Sequence, residues 1–77
     1  MTITKIPSGD AVTLQIEGRV DTNTSPELQK AILEVFQTFK KVTLDLEKTA
    51  YVSSAGLRAF LLGQKTAASK GASMELT

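Results

Sequence analysis

The sequence predicts a mixed α/β fold: a four-stranded mixed β-sheet with helices packed on one face, in the order β-β-α-β-α-β. Three observations predict it. Apolar and polar residues alternate over residues 12–17 and again over 42–47, the period of a half-buried strand. Leu28, Ala31, Ile32, Val35, Phe36 and Phe39 recur at helical spacing and form one apolar stripe. Each helical segment lies between strands, which favours parallel pairing through right-handed crossovers.

The elements follow in chain order. Ile3 and Ile6 precede the turn-forming run Pro7-Ser8-Gly9-Asp10, and Val12, Leu14 and Ile16 then alternate with Thr13, Gln15 and Glu17. The two segments read as a β-hairpin, whose second strand is extended or ended by Gly18-Arg19-Val20-Asp21. Thr24-Ser25-Pro26-Glu27 offers two helix starts. Either Thr24 is the N-cap of a capping box with Glu27, or Ser25 is the N-cap with Pro26 first in the helix; the second suits a residue without an N–H. Lys40-Lys41 is expected to close this helix, where positive charge suits the dipole. Val42, Leu44 and Leu46 mark a third strand, and residues 48–52 read as a connector. From about Ala55 a second helix is suggested by Leu57, Phe60, Leu61, Ala67 and Ala68, with Gly71 just past its end and Leu57 and Phe60 assigned to the core. Ala72, Met74 and Leu76 begin a fourth strand. Alternation in the strands implies that helices cover one face of the sheet only.

Composition excludes several chemistries. With 77 residues the chain forms one domain, and a single core in a chain this short rarely contributes more than about 3–5 kcal/mol of net stability. It has no Cys and no His, which removes disulfides, thiolate zinc sites, thiol nucleophiles and the usual general base. Net charge is +1 with both signs interspersed, so there is no electrostatic footprint for nucleic acid. No signal peptide or membrane span is evident, and a cytoplasmic protein without membrane contact is expected. No metal or cofactor is expected either.

Function is expected in the segment from Asp45 to Arg58, which runs from a strand's end into a helix start and contains the pair Ser53-Ser54. Serine at such a position is also an ordinary N-cap, contributing about 1 kcal/mol, and the pair alone does not specify a function. A catalytic serine is not supported. No His stands ready for a triad, neither serine begins a Ser-x-x-Lys, and there is no Gly-x-Ser-x-Gly elbow. Gly63-Gln64-Lys65-Thr66 lacks the Gly-Lys pair of a phosphate loop. Asn23-Thr24-Ser25 matches a glycosylation sequon but reads as helix-capping chemistry.

The residues around the pair extend the pattern. Leu44-Asp45-Leu46 followed by Tyr51-Val52-Ser53-Ser54-Ala55-Gly56-Leu57 resembles the signature of the STAS domain family, the bacterial anti-sigma factor antagonists or anti-anti-sigma factors. Glu17-Gly18-Arg19-Val20-Asp21 resembles the family's Gly-x-Leu/Val-Asp, and Thr24-Ser25-Pro26-Glu27-Leu28 its first-helix start. The resemblance covers the whole chain in order and spacing. It implies a single STAS-like domain over residues 1–77, C-terminally truncated before the family's final helix. Members bind an anti-sigma factor that is also a serine kinase, and phosphorylation of a loop serine releases them, which regulates transcription. The resemblance places the phosphorylated position on Ser54. The family's preceding Asp is Ser53 here, which makes Ser53 the alternative acceptor. The partner surface is expected to comprise Asp21, Thr22, Ser53, Ser54, Ala55, Gly56 and Arg58, with Arg58 one helical turn after Ser54. A phosphorylation-independent scaffold of the same fold is the alternative function. An exposed terminal strand makes homo-oligomers a further expectation.

Overall fold

Gly9, at a φ of 62°, turns the chain through two residues between β1 (Thr2–Ser8) and β2 (Ala11–Val20). The strands pair antiparallel from Thr2↔Glu17 to Ser8↔Ala11. Pro7 lies in β1, the edge strand, where a missing N–H is tolerated. The computed structural model describes all 77 residues and continues with α1 (Ser25–Val35), β3 (Lys41–Asp45), β4 (Thr49–Val52), α2 (Ser54–Lys70) and β5 (Ser73–Leu76).

The sheet runs β1-β2-β3-β5, with β4 paired to β2. β3 lies parallel to β2 over Ala11↔Lys41 to Gln15↔Asp45, and β5 parallel to β3. It is a mixed sheet with the helices on one side, as the alternation predicts. Val12, Leu14, Ile16, Val20, Val42 and Leu44 point into the helix-covered face and are buried, whereas Gln15, Glu17 and Arg19 are exposed on the other. Leu28, Ile32 and Val35 from the first helix, Phe36 at its C-cap, and Ala59, Phe60 and Ala67 from the second helix close one contiguous core.

The sheet has a fifth strand where the sequence suggests a connector. Residues 46–48 interrupt the path, and Thr49–Val52 then pairs parallel with the last residues of β2, from Gly18↔Thr49 to Val20↔Val52, with a register shift between Gly18 and Arg19. Thr49 Oγ1 donates to the Ile16 carbonyl at 2.8 Å, and Gly18 N–H donates to the Lys48 carbonyl at 3.1 Å. Four residues with an irregular register leave no clean alternation, so backbone pairing makes this strand where side-chain pattern does not announce it.

The first helix starts and ends differently from expectation. Thr24 occupies the N-cap position, but its φ/ψ of −102°/−20° is already helical and its hydroxyl caps nothing. That hydroxyl accepts from Asp21 N–H at 2.8 Å and shares its single proton between the Arg19 carbonyl (3.0 Å) and Asp21 Oδ1 (3.2 Å). Neither the Thr24–Glu27 capping box nor the Ser25 cap therefore forms. At the other end the helix stops at Val35, before Lys40-Lys41, whose N–H groups both donate to the Asp10 carbonyl at 2.9 and 3.2 Å. The positive charge at the end of α1 comes instead from α2, through Lys70 Nζ on the Phe36 carbonyl at 3.4 Å.

The second helix ends as its sequence predicts. Gly71 takes a φ of 67°, Ala72 N–H reaches the Ala67 carbonyl at 2.8 Å and Gly71 N–H the Ala68 carbonyl at 3.4 Å, the paired bonds of a Schellman cap. Its buried face differs from expectation. Phe60 is buried, but Leu57 is 54% exposed and Leu61 is 61% exposed. The inward stripe is instead Gly56, Ala59, Phe60, Gly63 and Ala67. Small residues let the helix lie close against the sheet and its neighbour, and the bulky leucines are left outside.

Candidate functional site

Parallel pairing of β4 with β2 brings the ends of both strands to one place. Val20 pairs with Val52, and Ser53 N–H donates to the Val20 carbonyl at 2.8 Å. Just past the end of each strand stand Asp21 and the serine pair. Thr22 is exposed in the same loop, and Arg58 is exposed one turn into α2. Ser53, Ser54, Ala55 and Gly56 form the start of that helix, so the seven sequence-predicted positions share one end of the sheet.

The two serines do different work. Ser53 is the N-cap, with extended φ/ψ of −83°/175°; its Oγ accepts from Gly56 N–H at 3.3 Å, and its carbonyl accepts the first helical bond from Leu57 N–H at 3.0 Å. It is half-buried. Ser54 is the first residue of the helix and is exposed. The N–H groups of Ser54 and Ala55 lie in the first turn, where the helix itself supplies no acceptor. An exposed hydroxyl therefore sits beside unsatisfied donors at the positive end of a 17-residue helix dipole.

Gly56 sets how closely that end approaches the sheet. A Cβ at this buried position would lie 2.8 Å from Val20 Cγ1 and 2.9 Å from Val52 Cγ1. Both neighbours are β-branched and stiff at χ1, so they cannot swing aside. Ala would gain about 1 kcal/mol in helix propensity, whereas overpacking costs about 1–3 kcal/mol. Gly56→Ala is thus expected to be net destabilising by about 1 kcal/mol. It should also move the amide resonances of Ser53 and Ser54, which urea melts and NMR together would register. An unchanged midpoint with unmoved resonances would show that the contact relaxes freely.

The loop after β2 is ordered by Asp21. Its Oδ1 accepts from Asn23 N–H at 2.9 Å and Thr24 N–H at 3.1 Å, and its carbonyl accepts from Ser25 N–H at 2.8 Å. The Thr24 N–H bond holds the Asp21 carboxyl below the usual aspartate range; slight desolvation opposes this, and Asn23 N–H, the Thr24 hydroxyl and the charge of Arg19 reinforce it. The native state therefore binds this proton less readily than the unfolded chain. The stabilisation is complete above the unfolded value of about 3.9 and is lost as pH falls through the lower folded value. Asp21→Asn is expected to flatten the acid limb of Tm against pH below about pH 4 and to leave its neutral limb parallel to that of the parent. A variant with the same acid slope would assign that limb to other carboxylates.

On the open face Arg19 stacks over the Tyr51 ring, 4.4 Å from its centroid, and Tyr51 is 44% exposed. Sequence reasoning missed this pair because it needs the register of β4 to become visible. A small polar cleft of about 60 Å³ on the same face is lined by Gln15, Glu17, Asp45, Glu47 and Lys48 among others, away from the serines. The Asp and Glu residues form no group arranged to hold a metal ion. No helix is long and apolar enough to cross a membrane.

These features define a small mixed α/β domain whose polar, accessible surface lies at the carboxyl ends of its parallel strands. Residues 4–77 match the family described as Mlab, STAS domain, and the chain belongs to the STAS domain family. No curated protein matches the sequence at a significant level. Among solved structures, an anti-sigma factor antagonist from Mycobacterium paratuberculosis superposes with a TM-score of 0.85 at 18% identity, over 97% of this chain and 64% of that one. The antagonist SpoIIAA in its unphosphorylated form gives 0.82 at 14% identity, over 97% of this chain and 71% of that one. Mglu gives 0.83 at 19% identity over 95% of this chain, which spans only 18% of the Mglu chain. At these identities the likeness establishes the fold.

Proposed function

We propose that this domain is an anti-sigma factor antagonist of the cytoplasm. Unphosphorylated, it binds an anti-sigma factor with serine kinase activity through the serine end of the sheet, and phosphate on Ser54 releases it. The observation that carries the reading is the division of labour between the serines. Ser53 Oγ is engaged as the helix cap, while Ser54 is exposed at the first helical position. A kinase reaches Ser54 without disturbing the fold. A phosphate there brings roughly −1.5 to −2 charges to the end of a helix that favours anions, with Arg58 four residues on. The same group at Ser53 would displace the cap. SpoIIAA, whose fold this chain shares, has been solved in unphosphorylated and phosphorylated forms.

Phosphopeptide mapping after incubation with host lysate and ATP tests the site. Phosphate on Ser54 is expected. Phosphate on Ser53 alone would move the acceptor and contradict the division of labour, and a stable host complex with neither serine modified would favour the second reading.

That second reading is a scaffold whose contacts do not depend on phosphate. Two observations favour it: Ser53 stands where the antagonist pattern has an acid, and the matching family is the one described as Mlab, STAS domain.

A further inference from the structure

The exposed side of α2 has an unusual make-up for a solvent face. Ser54, Leu57, Arg58, Leu61, Lys65 and Ala68 are spaced at i, i+3, i+4, i+7, i+11 and i+14, so they form one stripe. All six are exposed or reach the surface, opposite the buried stripe of small residues. Two leucines one turn apart, 54% and 61% exposed, lie near its middle. Arg58 and Lys65 stand beside them. The helix contains three cations and no Asp or Glu, although the chain as a whole has nine basic and eight acidic residues. The remainder of the molecule is therefore net negative, and the positive charge is gathered on the helix that starts at Ser54.

We infer that this stripe docks an acidic amphipathic helix of the partner protein, with apolar side chains that meet Leu57 and Leu61 and carboxylates that meet Arg58 and Lys65. The role of Ser54 in this proposal rests on the switch reading above; the stripe itself does not. Two apolar anchors at i, i+4 match the spacing by which one helix face reads another. The helix is about 25 Å long and supplies only part of an interface of ordinary size, which suits a reversible complex. A second copy of this chain fits poorly, because pairing two such helices would bring cations against cations. A lipid surface fits less well than a protein helix, because membrane-surface helices bury a broad apolar side and this one offers two leucines. Phosphate on Ser54 stands at the head of the same stripe, within a turn of Arg58. It would compete for the cation that the partner's carboxylate uses.

The test is an NMR titration of isotope-labelled full chain at low salt. The probe is a synthetic helical peptide with leucines at i, i+4 and glutamates on both flanks; a lysine-flanked twin is the control. The expected result is shifts centred on Leu57, Leu61 and Lys65, with no comparable response to the twin. The double change Arg58→Glu/Lys65→Glu, both at exposed positions and checked for an unchanged Tm, is expected to weaken binding about tenfold. Shifts elsewhere, no shifts, or an affinity indifferent to charge reversal would overturn the proposal. So would dimerisation through α2, or binding of phosphatidylserine vesicles in preference to the peptide. Repeating the titration with Ser54 phosphorylated separates the two readings. Binding that ignores the phosphate would keep the docking stripe and remove the switch. Release of the native partner by phosphate, with no peptide binding, would keep the switch and remove the stripe.

Discussion

Leu14→Ala is expected to leave the isolated chain largely unfolded at room temperature. Leu14 is 0% exposed and lies in the central strand, between Lys5 of β1 and Leu44 of β3. Truncating a buried Leu removes its transfer energy and leaves a cavity, together about 2–5 kcal/mol. A core in a chain this short rarely supplies more than about 3–5 kcal/mol of net stability. The loss is therefore comparable with everything the fold has, and no disulfide holds the chain together, since it has no cysteine. Leu61→Ala makes the contrast. It removes the same atoms from a position 61% exposed and should change stability by less than about 0.5 kcal/mol. Circular dichroism during urea titration measures both. A Leu14→Ala protein with a midpoint near the parent's would mean that neighbouring side chains collapse into the space.

If the proposed switch holds, phosphate on Ser54 is expected to do the reverse: leave the fold intact and abolish binding to the proposed partner. At the helix N-terminus the added charge interacts favourably with the dipole, by about 0.3–1 kcal/mol, so Tm should hold or rise by up to about 8 °C. At the proposed interface the phosphate would take Arg58 from the partner's carboxylate and leave that carboxylate buried without a counter-charge. An unpaired buried charge in an interface costs about 2–5 kcal/mol, at least about 30-fold in affinity. Ser54→Asp should reproduce the direction with a smaller loss. Ser53→Ala provides the control: it removes the cap on Gly56 N–H, and Tm should fall by about 4–8 °C for roughly 1 kcal/mol. Calorimetry on the phosphorylated and unphosphorylated proteins measures both quantities. Equal partner affinity in the two forms would support the scaffold reading.

What could be read in advance depended on which forces leave a mark in side-chain order. Val12, Leu14, Ile16 and Val42, Leu44 alternate because one face of their strands is dry, and the sheet followed from them. The α1 stripe was legible because its buried residues are also its large ones. In α2 they are not. Its buried face is mostly Gly and Ala, chosen for closeness, so a reading by bulk took Leu57 for core and gave no reason to look outward. Gly56, Ala59, Gly63 and Ala67 fall at helical spacing, and that small-residue stripe was the signal that could have corrected it. β4 was hidden for another reason: backbone pairing with β2 and the Thr49 hydroxyl hold it, and neither imposes an apolar period. The serine end was located by the order of motifs, while the distinct roles of Ser53 and Ser54 needed the cap geometry.

The interruption at residues 46–48 also divides the molecule by how readily it opens. β2 is flanked on both sides along its first half, by β1 and β3, whereas its last residues are paired with the four-residue β4. Local opening is cheapest where a ladder is short and backbone is near solvent. The end that presents Ser54 is thus the part of the sheet that can rearrange while the rest stays closed.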